Sequence, residues 1–292
     1  MLYTKVLAMQ YTIPYRQNAH VPFFGQPTSR ANFCEEDYIV TGWIAEFANT
    51  LTNIAYILYA MQGLRRARAL KAPLSSRALY YGLAGVGVCS ALFHGLLKYP
   101  AQMGDDTSVQ VATALVVHRA MIYGRGPDYA RIFAAGLASL LALETAYHAI
   151  NDEQTVHDLT FVVQIAVVAL RTRSLIKSRV TAAHDKLMLQ RLTVLGAACF
   201  GIGYLLWQLD FIYCGALNNT KRQWGLPWGF LLEIHGWWHV LTAAGAFVFI
   251  SMIDSLTQEH MDLSGAPFVW LSAPLQQPAK QQRLVSVDSM DV

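Results

Sequence analysis

Charge is what this chain of 292 residues has least of, since Asp, Glu, Lys and Arg together make up 14% of it. Soluble domains carry about 25%, so a water-facing surface of ordinary polarity is excluded. The net charge of +3 is small, and no basic run interleaved with aromatics is present, which excludes tracking of a nucleic-acid backbone. The four cysteines, Cys34, Cys89, Cys199 and Cys214, contain no CxxC pair, which excludes zinc ribbons and dithiol redox motifs. Met1 to Tyr15 lacks the apolar length of a signal peptide and is interrupted by Lys5 and Gln10, so the N-terminus is read as retained. Internal repeats and linkers between domains are absent as well.

What is present is hydrophobicity, at 54% of residues. Stretches long enough to cross a bilayer core fall at 43–63, 79–98, 106–124, 130–149, 157–174, 192–213 and 229–253. The expectation is an all-α membrane protein, a seven-transmembrane helix bundle in one catalytic domain over 43–253. The loops after the first, third and fifth spans hold fourteen Lys and Arg, among them Arg65, Arg66, Arg119 and Arg171. The loops after the second, fourth and sixth hold only Lys98, Lys221 and Arg222. By the positive-inside rule the N-terminal segment 1–42 is lumenal or extracellular. The stretch 254–292, with Pro274 and Pro278 and little periodicity, reads as a flexible cytoplasmic tail. Cys34 and Cys214 then both lie outside, where a disulfide between them competes with two buried thiols. Cys89 and Cys199 fall inside spans and read as packing residues.

Ionisable groups at membrane depth are costly and mark function by default. On this topology Ser90 and His94 occupy the outer half of the second span, Asp105 and Asp106 the outer mouth of the third, and His235 and His239 the outer half of the seventh. His235 and His239 are four residues apart on one helical face, so two imidazoles can chelate one metal. No glutamate follows the first histidine, which separates this HxxxH from the zinc-protease motif and leaves it weak on its own. With His94 it makes a three-nitrogen set that leaves a fourth tetrahedral position for water, as catalytic zinc requires. Asp210 and Glu233 are candidates to orient the histidines. Glu144 and Tyr147 are weaker candidates for substrate contact or packing. His20, His118, His148, His157, His184 and His260 have no such company and read as interfacial or loop residues. Asn32 to Asp37, followed by Glu46, is rich in oxygen ligands and suits a hard cation such as calcium, in competition with a solvated acidic loop. Glu46, Asn49 and Asn53 share one face of the first helix, which should point into the bundle.

Taken together, Cys34-Glu35-Glu36 with Tyr38, Glu46-Phe47 and Asn49, Ser90 with Phe93-His94, Gln102 and Asp105, Trp207, Asp210 and Cys214, and Glu233 with His235-Gly236-Trp237-Trp238-His239 resemble the alkaline ceramidases over about residues 25–255. These are membrane amidases that split ceramide into a sphingoid base and a fatty acid. The resemblance implies zinc on His94, His235 and His239, with Ser90 and Asp105 beside it as catalytic residues. It also implies a lumenal Cys34–Cys214 disulfide, and calcium held by Asn32, the Phe33 carbonyl, Glu35, Asp37 and Glu46. The family's usual Asp, Trp and Asn stand here as Asn32, Phe33 and Asp37, and its Glu after Asp105 as Asp106. The expected reaction is attack of zinc-bound water on a ceramide amide that arrives from the bilayer, in an endoplasmic reticulum or Golgi membrane. The rival readings are a zinc-containing seven-helix receptor without turnover and a transporter, whose repeats and broken helices are not evident.

Overall fold

A computed structural model of the chain describes residues 12–151 and 154–258. Most of the expected tail 254–292, with His260, lies outside the described residues. The described residues form nine α-helices and no β-strand. The first span, read as 43–63, is helical from residue 47 to its end and continues to 69, with one interruption. Residues 43–46 are irregular, and the helix is broken into α1 (Phe47–Thr52) and α2 (Ile54–Ala69). The break has a local cause. The Thr52 hydroxyl and the Asn53 amide both donate to the Asn49 carbonyl, at 3.0 and 2.9 Å, and such side chains compete with the helix for its acceptors.

Pro73 precedes α3 (Leu74–Leu96), which ends where Leu97 turns left-handed (φ 48°) and returns its N–H to the Phe93 carbonyl. Next, α4 (Tyr99–Ile122) starts with proline in its first turn, where the missing N–H costs nothing. Its helix begins seven residues before the expected 106, so Asp105 and Asp106 lie in its second turn rather than at its mouth. Then come α5 (Pro127–Asn151), α6 (Gln154–Arg179) and α7 (Ala183–Ile212). Helix α7 starts well before the expected 192, because a hydrogen-bonded ladder continues through polar residues that end an apolar stretch. A short helix, α8 (Cys214–Trp224), and a 3₁₀ turn over Trp228–Leu232 lead into α9 (Ile234–Leu256).

Five helices, α3, α5, α6, α7 and α9, are long and apolar enough to cross a membrane. Helix α2 has 16 residues, and α4 carries Gln102, Asp105, Asp106 and Gln110, so these two fall outside that group. Helix α9 carries apolar residues all around its circumference between a few polar ones and packs against α1, α2, α3, α4, α6 and α7, the central placement expected of a helix with little polar face. Its apolar window is 72% buried, against 17–22% for α5, α6 and α7. Those three keep side chains such as Leu143, Ile150, Leu170 and Val194 on the outer surface, an apolar belt suited to lipid. Where α7 meets α9, a Cβ on Gly245 would stand 3.0 Å from the Gly196 carbonyl oxygen, so only glycine allows this approach.

The irregular segment 12–46 closes one end of the bundle. Ile13 exchanges two backbone hydrogen bonds with Leu226, Thr28 and Ser29 donate to the Leu97 carbonyl, and Arg30 N–H donates to Gln102 Oε1 at 2.8 Å. A disulfide joins Cys34 to Cys214 with a Cα separation of 5.2 Å.

Candidate active site

The site is assembled at helix ends. His94 is in the last turn of α3, whose terminal carbonyls need outside donors. The Glu46 and Ala45 N–H groups serve the His94 and Gly95 carbonyls, both at 3.0 Å, and so bring the start of α1 onto the histidine. His235 and His239 stand on the first two turns of α9. The ligand atoms of the three side chains lie within 4.8 Å of one another, and each side chain is buried. No other group of three or more His, Cys, Asp or Glu converges this way among the described residues.

Each ring is held differently. His94 Nδ1 faces Glu46 Oε2 at 2.5 Å; the carboxylate can only accept, which leaves Nε2 with its lone pair. The Thr52 hydroxyl donates to the Asn49 carbonyl and therefore accepts from His239 Nδ1, 3.0 Å away. His235 Nδ1 is buried and has no hydrogen-bond partner among the described residues. Two oriented imidazoles and an unpaired third nitrogen form a donor set that fits a zinc ion. The Phe33 ring lies on His235 with centroids 3.8 Å apart and also borders His94, shielding the cluster from water.

Ser90, one turn before His94, is buried and its hydroxyl lies near the Asp105 carboxylate, within reach of its charge, across the α3–α4 contact. On the α9 side the Tyr56 hydroxyl meets Thr242 Oγ1 at 2.6 Å. Asp210 and Glu233 bond to no histidine ring. Asp210 accepts the Cys34 N–H at 2.9 Å and faces the His235 backbone N–H, while Glu233 pairs with Lys221 at 2.7 Å. The ring-orienting work lies with Glu46 and Thr52.

The five residues named for calcium adjoin one another next to α1. Asn32 Nδ2 donates to Asp37 Oδ2 at 3.2 Å, and the Phe33 N–H to Glu46 Oε1 at 3.2 Å. Both Glu35 oxygens accept helix N–H groups, from Ala48 and Asn49 at 2.7 and 2.8 Å. Burial, then the charge of Glu233, pushes the Glu35 carboxyl well above its ordinary range, against those two bonds. Burial and the Glu46 charge push Asp37 up to about 6, and its Oδ1 is buried without a partner. The residues fit a cation in part. The charge and the free Asp37 oxygen suit one, whereas the oxygens of Glu35 and Glu46 already serve protein donors.

With this geometry in hand, comparison with known proteins decides the family. The family described as Ceramidase matches residues 25–279. The alkaline ceramidase YPC1 of Saccharomyces cerevisiae is 35% identical over 275 residues, covering 88% of this chain and 85% of that protein. Alkaline ceramidase 3 of Mus musculus is 30% identical, covering 78% and 84%. The alkaline ceramidase of Arabidopsis thaliana is 25% identical, covering 77% and 82%. The chain belongs to the alkaline ceramidase family. It is accordingly a hydrolase of the ceramide amide bond.

Three features of this ceramidase escape its linear sequence. Lys221, placed in an outer loop by charge counting, is 1% exposed and is held by Glu233 and the Cys34 carbonyl. Phe33, named in the sequence only for its carbonyl, places its ring against His94 and His235. His148 and His157, read as interfacial, belong to a buried network that joins α4, α5 and α6. His148 Nε2 meets Asp106 at 3.2 Å, His157 Nδ1 meets Glu144 at 2.9 Å, the two rings stack at 4.8 Å, and Gln110 donates to the His157 carbonyl at 2.7 Å. The signal was the i, i+4 spacing of Glu144 and His148 on α5 opposite that of Asp106 and Gln110 on α4.

Proposed function

We propose that the chain hydrolyses ceramide, dihydroceramide or phytoceramide with a zinc ion held by His94, His235 and His239. The observation that carries this reading is the convergence of three buried imidazoles, two of them turned by Glu46 and Thr52, beside the Ser90–Asp105 pair. Bound there, zinc supplies the Lewis acidity that makes water a nucleophile near neutral pH. Asp105 accepts a proton from the attacking water as the new C–O bond forms. The Ser90 hydroxyl donates to the oxygen of the tetrahedral intermediate. When the C–N bond breaks, Asp105 returns the proton to the leaving amine, so that amide and water become a fatty acid and a sphingoid base. The Phe33 ring keeps bulk water from the histidines.

The reading places the site near the lumenal face of a seven-span bundle with its N-terminus lumenal and C-terminus cytoplasmic, in an endoplasmic reticulum or Golgi membrane. The asymmetry of Lys and Arg between alternate loops supports this orientation, as does a disulfide on the same side. Substrate enters from the bilayer with its alkyl chains among the helices. A calcium ion on Asn32, Phe33, Glu35, Asp37 and Glu46 would relieve the crowding of carboxylates and tie the outer segment to α1.

Purified protein in detergent, incubated with a fluorescent ceramide, should release fatty acid and lose this activity to a zinc chelator. Release of none by zinc-loaded protein would sink the reading. His239→Ala should lower both zinc content and turnover to background; full activity in this variant would remove His239 from the site.

A further inference from the structure

The donors of the proposed reaction are in place, but a secondary amide also presents an N–H, and a buried site that receives it needs an acceptor. Asn53 offers one. The residue is 1% exposed, and its Oδ1 has no hydrogen-bond partner among the described residues. Its Nδ2 is fixed on the Asn49 carbonyl at 2.9 Å, which settles the orientation of the amide and leaves the oxygen free.

Three contacts place Asn53 within the catalytic layer. The Asn49 carbonyl that holds it also takes the Thr52 hydroxyl, and Thr52 meets His239 Nδ1. On the α3 side, Gly87 lies against the Asn53 carbonyl and Tyr56, where a Cβ would stand 3.0 Å from that oxygen. Gly87 is three residues from Ser90 and shares its helical face. On the third side Tyr56 is within electrostatic reach of Asp105 and its hydroxyl bonds Thr242, three residues beyond His239. The helix break at Asn53 thus lies between the histidines, the serine and the aspartate. An unpaired buried acceptor there is costly unless a ligand donates to it.

We propose that Asn53 Oδ1 accepts the N–H of the scissile amide, so that the substrate is gripped by a donor, Ser90, at its carbonyl and by an acceptor at its nitrogen. The inference rests on the amidase reading above. It assigns Asn53 a role in telling amides from esters, because an ester oxygen at that position cannot donate and leaves the acceptor unpaired.

The test compares ceramide with its ester isostere, in which oxygen replaces the amide N–H, on wild-type protein and on Asn53→Leu and Asn53→Asp. With ceramide, Asn53→Leu should lose roughly tenfold or more in kcat/KM, the scale of one buried hydrogen bond. With the ester it should change less than about twofold, and Asn53→Asp, which keeps an acceptor oxygen, should recover part of the amide rate. Where the ester is not turned over, its inhibition constant against ceramide hydrolysis gives the same comparison. Equal losses on both ligands would mark Asn53 as structural and overturn the proposal, as would undiminished ceramide hydrolysis by Asn53→Leu. Absence of ceramide hydrolysis by the wild-type protein would instead refute the amidase reading itself.

Discussion

Replacing Glu46 by leucine removes both carboxylate oxygens and tests how the histidines are held. The buried carboxylate accepts three hydrogen bonds, from His94 Nδ1 at 2.5 Å, from the Phe33 N–H at 3.2 Å and from Asn49 Nδ2 at 3.0 Å. Leucine accepts none of them. The Phe33 N–H and Asn49 Nδ2 are left unpaired, each at a cost of about 1–3 kcal/mol in stability. His94 loses the acceptor that keeps its proton on Nδ1, and the proton is free to move to Nε2, the nitrogen that would bind metal. Loss of such an orienting partner typically weakens metal binding about 10–100-fold, or about 1.4–2.8 kcal/mol. Zinc affinity, measured by competition with a chromogenic chelator on detergent-purified protein, should fall by that factor, with ceramide hydrolysis at limiting zinc falling in parallel. If Glu46→Leu binds zinc as tightly as wild type, Glu46 does not set the tautomer of His94 and the argument fails.

Three further outcomes are expected. Lys221→Met leaves Glu233 charged and buried without its partner, which should cost about 3–5 kcal/mol and lower the thermal midpoint, whereas adding Glu233→Leu should restore much of the loss; a single variant as stable as wild type would show that the pair is dispensable. Cys34 and Cys214 are 180 residues apart in sequence, so removing their link by Cys34→Ser with Cys214→Ser should cost about 5 kcal/mol on the chain-entropy model, read as a lowered unfolding temperature that reductant mimics in the wild type. Millimolar calcium added to EGTA-treated protein should raise the unfolding midpoint, and Asp37→Ala should abolish the rise; no response in the wild type would take calcium off the segment at Asn32–Asp37.

Much of the site was legible in the chain itself because depth in a membrane is a one-dimensional property. Apolar length and loop charge place each helix end, so His94, Ser90, Asp105, His235 and His239 could be assigned to one layer without knowing which helices touch. The shared face of Glu46, Asn49 and Asn53 followed from helical periodicity, and all three are buried. Helical spacing does not say what a side chain meets, and the tertiary structure alone decided the partners. The closing of α3's open carbonyls by Ala45 and Glu46 brings a carboxylate to His94, while Asp210 and Glu233, expected to orient the histidines, turn instead to the Cys34 backbone and Lys221. For the network of Glu144, His148 and His157 the chain carried only the i, i+4 spacings, and the pairing was decided once α4, α5 and α6 were side by side, since each of these hydrogen bonds crosses between helices. Residue type and depth are carried by the sequence because they depend on composition and period; hydrogen-bond pairing depends on helix rotation and on which backbone groups are left open, and those are settled only when the bundle packs.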